Sequence, residues 1–194
     1  WKVSCTESYL LLRARTRMPC EEHNALLARA LDAIRHRSLP AQDKPRVVFV
    51  GGFCEQPPLE MLETLDETCY IVDDDLLVGL RWLIEDVPET GDPIWALAES
   101  YVERSDASPV QHDARKSKED YLMAMLKKSK ADAAILTAAK FCEPGLDEQL
   151  AWSKHLDAEN IPYLVLEFEE KMTSFEQMSM QVETFSESLL FALA

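Results

Sequence analysis

Residues 46–52 read RVVFVGG, an apolar run closed by a glycine pair. A run of this kind, with no polar residue alternating through it, is the pattern of a strand covered on both faces. The flanking texture shows what sheet holds it. PLEMLETLDE (58–67) is a helix, CYIVD (69–73) a second strand, and LLVGLRWLIED (76–86) a helix that Pro88 ends. PIWALAESYVERS (93–105) and KEDYLMAMLKKS (118–129) are further helices. ADAAILTA (131–138) is a third strand, LDEQLAWSKHLDAEN (146–160) a helix, and PYLVLEF (162–168) a fourth strand. TSFEQ opens a last helix with a capping box from Thr173 to Glu176, and that helix runs to about Leu190. Strands separated by helices fold as parallel units with right-handed crossovers. The expected fold is therefore α/β: an open, doubly wound parallel sheet of flavodoxin- or Rossmann-like type, with flavodoxin-like strand order.

Upstream of that sheet, residues 4–38 read as helical. Pro19 breaks the run, and the second part places Leu26, Leu27, Ala30, Leu31 and Ile34 on one stripe. SLPAQDKP (38–45) is a linker. The expected organisation is a helical connecting segment over 1–40 followed by an α/β domain over 41–194.

The chain has 194 residues, enough for a sizeable core in one or two domains. Apolar residues at 47% and charged residues at 28% are an ordinary globular balance. A net charge of −15 argues against nucleic acid and against anionic membrane surfaces as partners. The apolar runs are too short to span a bilayer. Trp1 stands first where an initiator Met would, so a fragment of a longer protein is expected. The cysteines are Cys5, Cys20, Cys54, Cys69 and Cys142. Their odd number and the absence of a CxxC pair point to reduced thiols in a cytoplasmic protein, not to a disulfide framework or a zinc knuckle.

Function enters with a repetition. FCEQP follows the first strand and FCEP follows the third. Parallel strands point their carboxyl ends the same way, and ligands of open α/β sheets sit beyond those ends. If the two strands are neighbours or near-neighbours, Cys54 and Cys142 face one cleft. Gly51 and Gly52 would let the backbone approach a bulky ligand there. A thiolate pair on short turns suits a soft metal centre, iron–sulfur above all. The alternative is that each Cys is a small buried hydrophobe at a strand end. Carboxylates at the same edge, Glu55, Asp73 and Glu167, are the candidate catalytic residues. Of the run Asp73–Asp75, the last also reads as a helix N-cap. Cys69 reads as core, Cys5 and Cys20 lie in helical segments without company, and His23, His36, His112 and His155 read as surface residues. There is no GxxxxGK[ST], no GxGxxG and no GxSxG, which excludes a P-loop nucleotide site, the dinucleotide fingerprint and the acyl-hydrolase elbow.

GGFCEQPP, CYIVDDD, AAKFCEP, IPYLVLEFEEKM and QVETFSESLLF, in this order, resemble the benzoyl-CoA reductase / 2-hydroxyacyl-CoA dehydratase family, and within it the cluster-binding subunits of the ATP-dependent reductase. The likeness runs from about MPCEEHN to the C-terminus. The family implies two related subunits, each holding a [4Fe-4S] cluster through three cysteines. Two of the three match Cys54 and Cys142. The third lies in an N-terminal domain upstream of the present residues, which makes this chain the C-terminal portion of a longer polypeptide; Cys5 and Cys20 do not match it.

The resemblance also implies a reaction. A separate activator ATPase, itself iron–sulfur and fed indirectly by ferredoxin, injects a low-potential electron as ATP is hydrolysed. The cluster passes electrons to a thioester-activated acyl group, and in the reductase the ring of benzoyl-CoA becomes a cyclic dienoyl-CoA. The implied partners are a paralogous cluster-binding subunit, the activator and an acyl-CoA substrate. Two other readings remain open: a 2-hydroxyacyl-CoA dehydratase subunit with the same cluster, and a non-catalytic α/β scaffold.

Overall fold

The computed structural model describes residues 1–52, 56–76, 85–104, 117–169 and 171–193. Four parallel strands form one sheet: β1 (Arg46–Gly51), β2 (Tyr70–Asp74), β3 (Ala133–Ala139) and β4 (Tyr163–Phe168), in the order β2-β1-β3-β4. This is the flavodoxin-like order expected from the alternation of strands and helices. The sheet is covered on both faces, and consecutive residues of each central strand choose opposite faces. Val47, Phe49 and Ile135 join one core, and Val48, Val50 and Leu136 join the other. That is why RVVFVG carries no polar alternation: both pleat directions are buried.

The helices among the described residues are α1 (Cys5–Arg13), α2 (Cys20–His36), α3 (Leu59–Thr68), α4 (Pro93–Glu103), α5 (Lys118–Ser129), α6 (Glu143–Glu159) and α7 (Glu176–Leu193), with a short 3-10 turn over Ala14–Thr16. α1, α3 and α7 supply Cys5, Tyr9, Met61, Leu65 and Val182 to the first core. α5 and α6 supply Leu122, Leu126, Trp152 and Leu156 to the second. β1 leads by α3 to β2 on one side, whereas β3 leads by α6 to β4 on the other. The winding therefore reverses between β1 and β3, and open α/β sheets bind ligands beyond the carboxyl ends of the strands at such a point.

α1 runs antiparallel along α3. Its N-terminus is closed by a capping box, with Ser4 Oγ accepting from the Glu7 N–H and the Glu7 carboxylate accepting from the Ser4 N–H. The Asp66 carboxylate, near the end of α3, accepts from the N–H groups of Cys5 and Thr6 at 2.9 Å each and from Thr6 Oγ1 at 2.7 Å. A carboxylate at a helix N-terminus also meets the positive end of its dipole.

Several boundaries differ from the sequence expectation. α6 begins at Glu143, not Leu146, because Pro144 fits the first helical turn, where a missing N–H costs nothing. The Thr173–Glu176 capping box does not form: α7 starts at Glu176, whose N–H donates to Ser174 Oγ. His23 is 7% exposed, not a surface residue, and its Nε2 lies 2.9 Å from the Leu11 carbonyl oxygen, tying α2 to α1. Most of the helix expected at 76–86 lies outside the described residues, as do His112, Cys54 and Glu55. No helix among the described residues is long and apolar enough to cross a membrane.

Candidate functional site

The switch point lies between β1 and β3, which pair in register from Val47↔Ala133 to Gly51↔Thr137. Gly51 closes β1 with φ +113° and donates its N–H to Asp75 Oδ1 at 2.8 Å. A Cβ at this position would stand 1.9 Å from the Thr137 carbonyl oxygen. At Gly51 the close approach is therefore to the neighbouring strand. Asp75 is buried, and its carboxylate ties β1 to the end of β2; the helix it was expected to cap lies mostly outside the described residues.

Cys142 lies beyond the end of β3, as Cys54 lies beyond β1 in sequence. It is 7% exposed, a free thiol, and the N-cap residue of α6. Its thiol packs over the first turn of α6, where a Cβ at Gly145 would come within 3.1 Å of Sγ and 3.9 Å of the Ala138 Cβ. The residue before it, Phe141, has φ +63° and is 93% exposed. Lys130 and Asn160, which also have positive φ, terminate α5 and α6. Phe141 ends no helix; its left-handed turn sends the ring outward from the sheet edge while Cys142 goes inward. Strain of this kind costs roughly 1–3 kcal/mol and concentrates at functional sites.

The carboxylates at this edge have different surroundings. Asp73 is half-buried, and its Oδ1 accepts from the Asp74 N–H at 3.0 Å; burial raises its carboxyl above the usual range. Asp74 accepts from the Leu76 N–H at 3.0 Å, and burial with the charge of Asp73 pushes it up to about 6. Glu167 is exposed and lines a cavity of about 480 Å³ with Lys140, Phe168 and Met172. Lys140 pairs with Glu169 at 2.5 Å, and that contact raises the ammonium. Cys69 is 1% exposed and packed in the core, as its sequence context implies. Cys5, which had no visible company in sequence, is buried in the same core, and burial with the nearby Asp74 and Asp66 carboxylates drives its thiol far upward. Cys20 is exposed.

The donor chemistry at Cys142 fits one thiolate corner of an iron–sulfur cluster. It is a buried, free thiol at the positive end of a long helix, at the edge where β1 also ends. Among the described residues no group of three or more His, Cys, Asp or Glu side chains converges to complete a metal site.

The model of the family 2-hydroxyglutaryl-CoA dehydratase, D-component, matches residues 1–189. A benzoyl-CoA reductase subunit of Thauera aromatica is 32% identical over 191 residues, covering 97% of this chain and 50% of that protein. The (R)-phenyllactyl-CoA dehydratase beta subunit of Clostridium sporogenes is 26% identical over 188 residues, 96% of this chain and 49% of that protein. The beta subunit of lactoyl-CoA dehydratase from Anaerotignum propionicum is 26% identical over 189 residues, 96% and 50% respectively. The chain spans about half the length of the curated relatives it matches. Those relatives are subunits of enzymes acting on acyl-CoA thioesters, and the present chain belongs to the 2-hydroxyglutaryl-CoA dehydratase, D-component, family.

Proposed function

We propose that the chain is part of an iron–sulfur subunit of an ATP-dependent aromatic acyl-CoA reductase, which converts benzoyl-CoA to a cyclic dienoyl-CoA. The observation that carries the reading is the parallel pairing of β1 with β3 at the point where the winding reverses. It brings the carboxyl ends of the two strands that precede Phe53-Cys54-Glu55 and Phe141-Cys142-Glu143 side by side. Cys54 and Cys142 would each hold one iron of a [4Fe-4S] cluster, with a third thiolate from outside these 194 residues. The cluster, when bound, supplies one-electron transfer at low potential to a thioester-activated acyl group. The chain's own residues have simpler tasks. Gly51 and Asp75 fix the end of β1, Gly145 leaves room for the Cys142 thiol, and Asp73 and Glu167, with Glu55, are the acids available at the edge. Electrons come from a separate activator ATPase supplied by ferredoxin, and the enzyme is completed by a paralogous subunit.

The reductase is favoured by the 32% identity to a benzoyl-CoA reductase subunit against 26% for the dehydratase subunits. The second reading, a 2-hydroxyacyl-CoA dehydratase subunit, is favoured by the dehydratase relatives and the description of the family itself. Anaerobic reconstitution of the full-length protein with its partners, offered benzoyl-CoA and a 2-hydroxyacyl-CoA in turn, separates them. Dienoyl-CoA formation with no dehydration is expected; dehydration without ring reduction selects the second reading. Iron and sulfide content, with EPR of the dithionite-reduced protein, tests the ligands. Cys54→Ser and Cys142→Ser should strip most of the iron, whereas Cys69→Ser should keep it.

A further inference from the structure

α4 (Pro93–Glu103) is amphipathic in the reverse sense. Ile94, Leu97, Ala98, Tyr101 and Val102 recur at spacings of three and four, with Trp95 beside them, so they share one face. That face is turned to solvent: its five large apolar side chains are between 46% and 74% exposed. Ala96 and Ser100, one turn apart on the opposite side, are the residues that α4 buries. No residue of the helix belongs to either core of the sheet. A helix that only covered its own domain would turn Trp, Ile and Leu inward and leave Ala and Ser outside. Contiguous apolar patches on a globular protein mark interaction sites, and Trp and Tyr are the side chains that carry most energy in interfaces.

Charge constrains what covers this face. From Glu85 to Arg104 the chain has six acids and one base. The base, Arg104, stands 3.9 Å from Glu85 and 3.8 Å from Glu99. Glu99 and Glu103, one and two turns on from Trp95, are exposed along the margin of the apolar face, and Asp86, Glu89 and Asp92 are exposed before the helix. A second copy of the chain, docked by the same patch, would set this acidic margin against itself, in addition to the −15 that each copy carries. Like charges placed together across an interface disfavour the pairing, whereas a basic rim on a different protein speeds encounter and selects the partner.

We infer that the outer face of α4 docks a non-identical protein subunit, through an apolar groove on that subunit rimmed by Lys and Arg. Ile94 and Trp95, the most exposed of the set, are the anchors that enter the groove. Glu99 and Glu103 meet the basic rim. The relatives of this chain are themselves subunits of enzymes, so a protein partner of this kind is in keeping with them. The choice of the paralogous subunit as the partner to be tested rests on the proposed function; the face and its charge do not.

Sedimentation velocity of the full-length protein, alone and mixed with the paralogous subunit, tests the face. The mixture is expected to form a hetero-complex, and the protein alone is expected not to self-associate through α4. Ile94→Ser with Trp95→Ser should weaken the hetero-complex by roughly tenfold or more. Glu99→Lys should weaken it several-fold at low salt and have little effect at about 0.5 M NaCl, where the rim charges are screened. The altered side chains are exposed, so the unfolding midpoint of each isolated variant should equal that of the wild type. Absence of a wild-type hetero-complex, or undiminished affinity in the double variant, overturns the inference. A self-association that the double variant abolishes also overturns it, because a second copy would then be the occupant. So does a lower midpoint for the isolated double variant, because the face would then be covered by its own polypeptide. Ring reduction by the reconstituted enzyme with the double variant's affinity undiminished sinks the face and leaves the proposed function standing. A complex that depends on Ile94 and Trp95, with iron unaffected by either Cys54→Ser or Cys142→Ser, does the reverse.

Discussion

Gly51 shows how much one residue can decide. Its φ of +113° and the Thr137 carbonyl 1.9 Å from any Cβ leave no room for a side chain. Gly51→Ala should therefore cost about 3–5 kcal/mol, measured as a lower urea midpoint, because backbone on both strands must shift. Gly91, also at positive φ but with nothing within 4 Å of its Cβ position, should lose much less on the same change. Asp74 makes a pH-dependent contribution of definite sign. Its carboxyl is raised from 3.8 to about 6 by burial and by Asp73. The folded protein thus holds that proton more tightly than the unfolded chain does. Below about pH 4 the group costs nothing, stability falls as pH rises toward 6, and the full cost, on the order of 2 kcal/mol, applies above that. Asp74→Asn should flatten the stability profile between pH 4 and 6, read from unfolding midpoints; the neighbouring Asp73 and Cys5 remain in place. An unchanged slope would show that Asp74 is not the responsible group.

At the scale of elements, the sheet was legible because each strand is a short apolar run between helices, and parallel topology follows from that spacing alone. The order β2-β1-β3-β4 was legible for the same reason. What was not legible depends on contacts distant in sequence. Asp75 reads as a cap for a helix that lies mostly outside the described residues; its contact with Gly51, 24 residues away, has no local signal. His23 sits among polar neighbours in sequence, yet packs against the Leu11 carbonyl. Nothing local says that α1 lies antiparallel on α3. The signal that could have found that packing is Asp66, an acid late in α3 that holds the start of α1. Asp66→Ala should remove three hydrogen bonds from that helix start and cost roughly 1–3 kcal/mol. Amide hydrogen exchange should accelerate across residues 5–13 while β1 and β3 amides remain protected; equal acceleration everywhere would mean that α1 is not a separately docked element.

For the molecule as a whole, charge is unevenly shared. Residues 1–40 carry seven Lys or Arg against four Asp or Glu, and the remainder carries thirteen against thirty-one. The helical segment is therefore a mildly basic element on a strongly acidic domain. Self-repulsion within that domain should be relieved by salt, so thermal stability should rise between about 10 mM and 0.5 M NaCl, as the screening length shortens to a few ångströms. A midpoint that falls with salt would show instead that attraction between the basic and acidic parts dominates. The distribution of thiols has its own consequence. Among the described residues Cys5, Cys69 and Cys142 all belong to the core beneath α1, α3 and α7, and none of the described cysteines belongs to the core beneath α5 and α6. Alkylating reagents followed by mass spectrometry would thus act as a one-sided clock among the described thiols: Cys20 is modified at once, Cys5, Cys69 and Cys142 only when their layer parts from the sheet, and an opening confined to the opposite layer leaves those three unmarked.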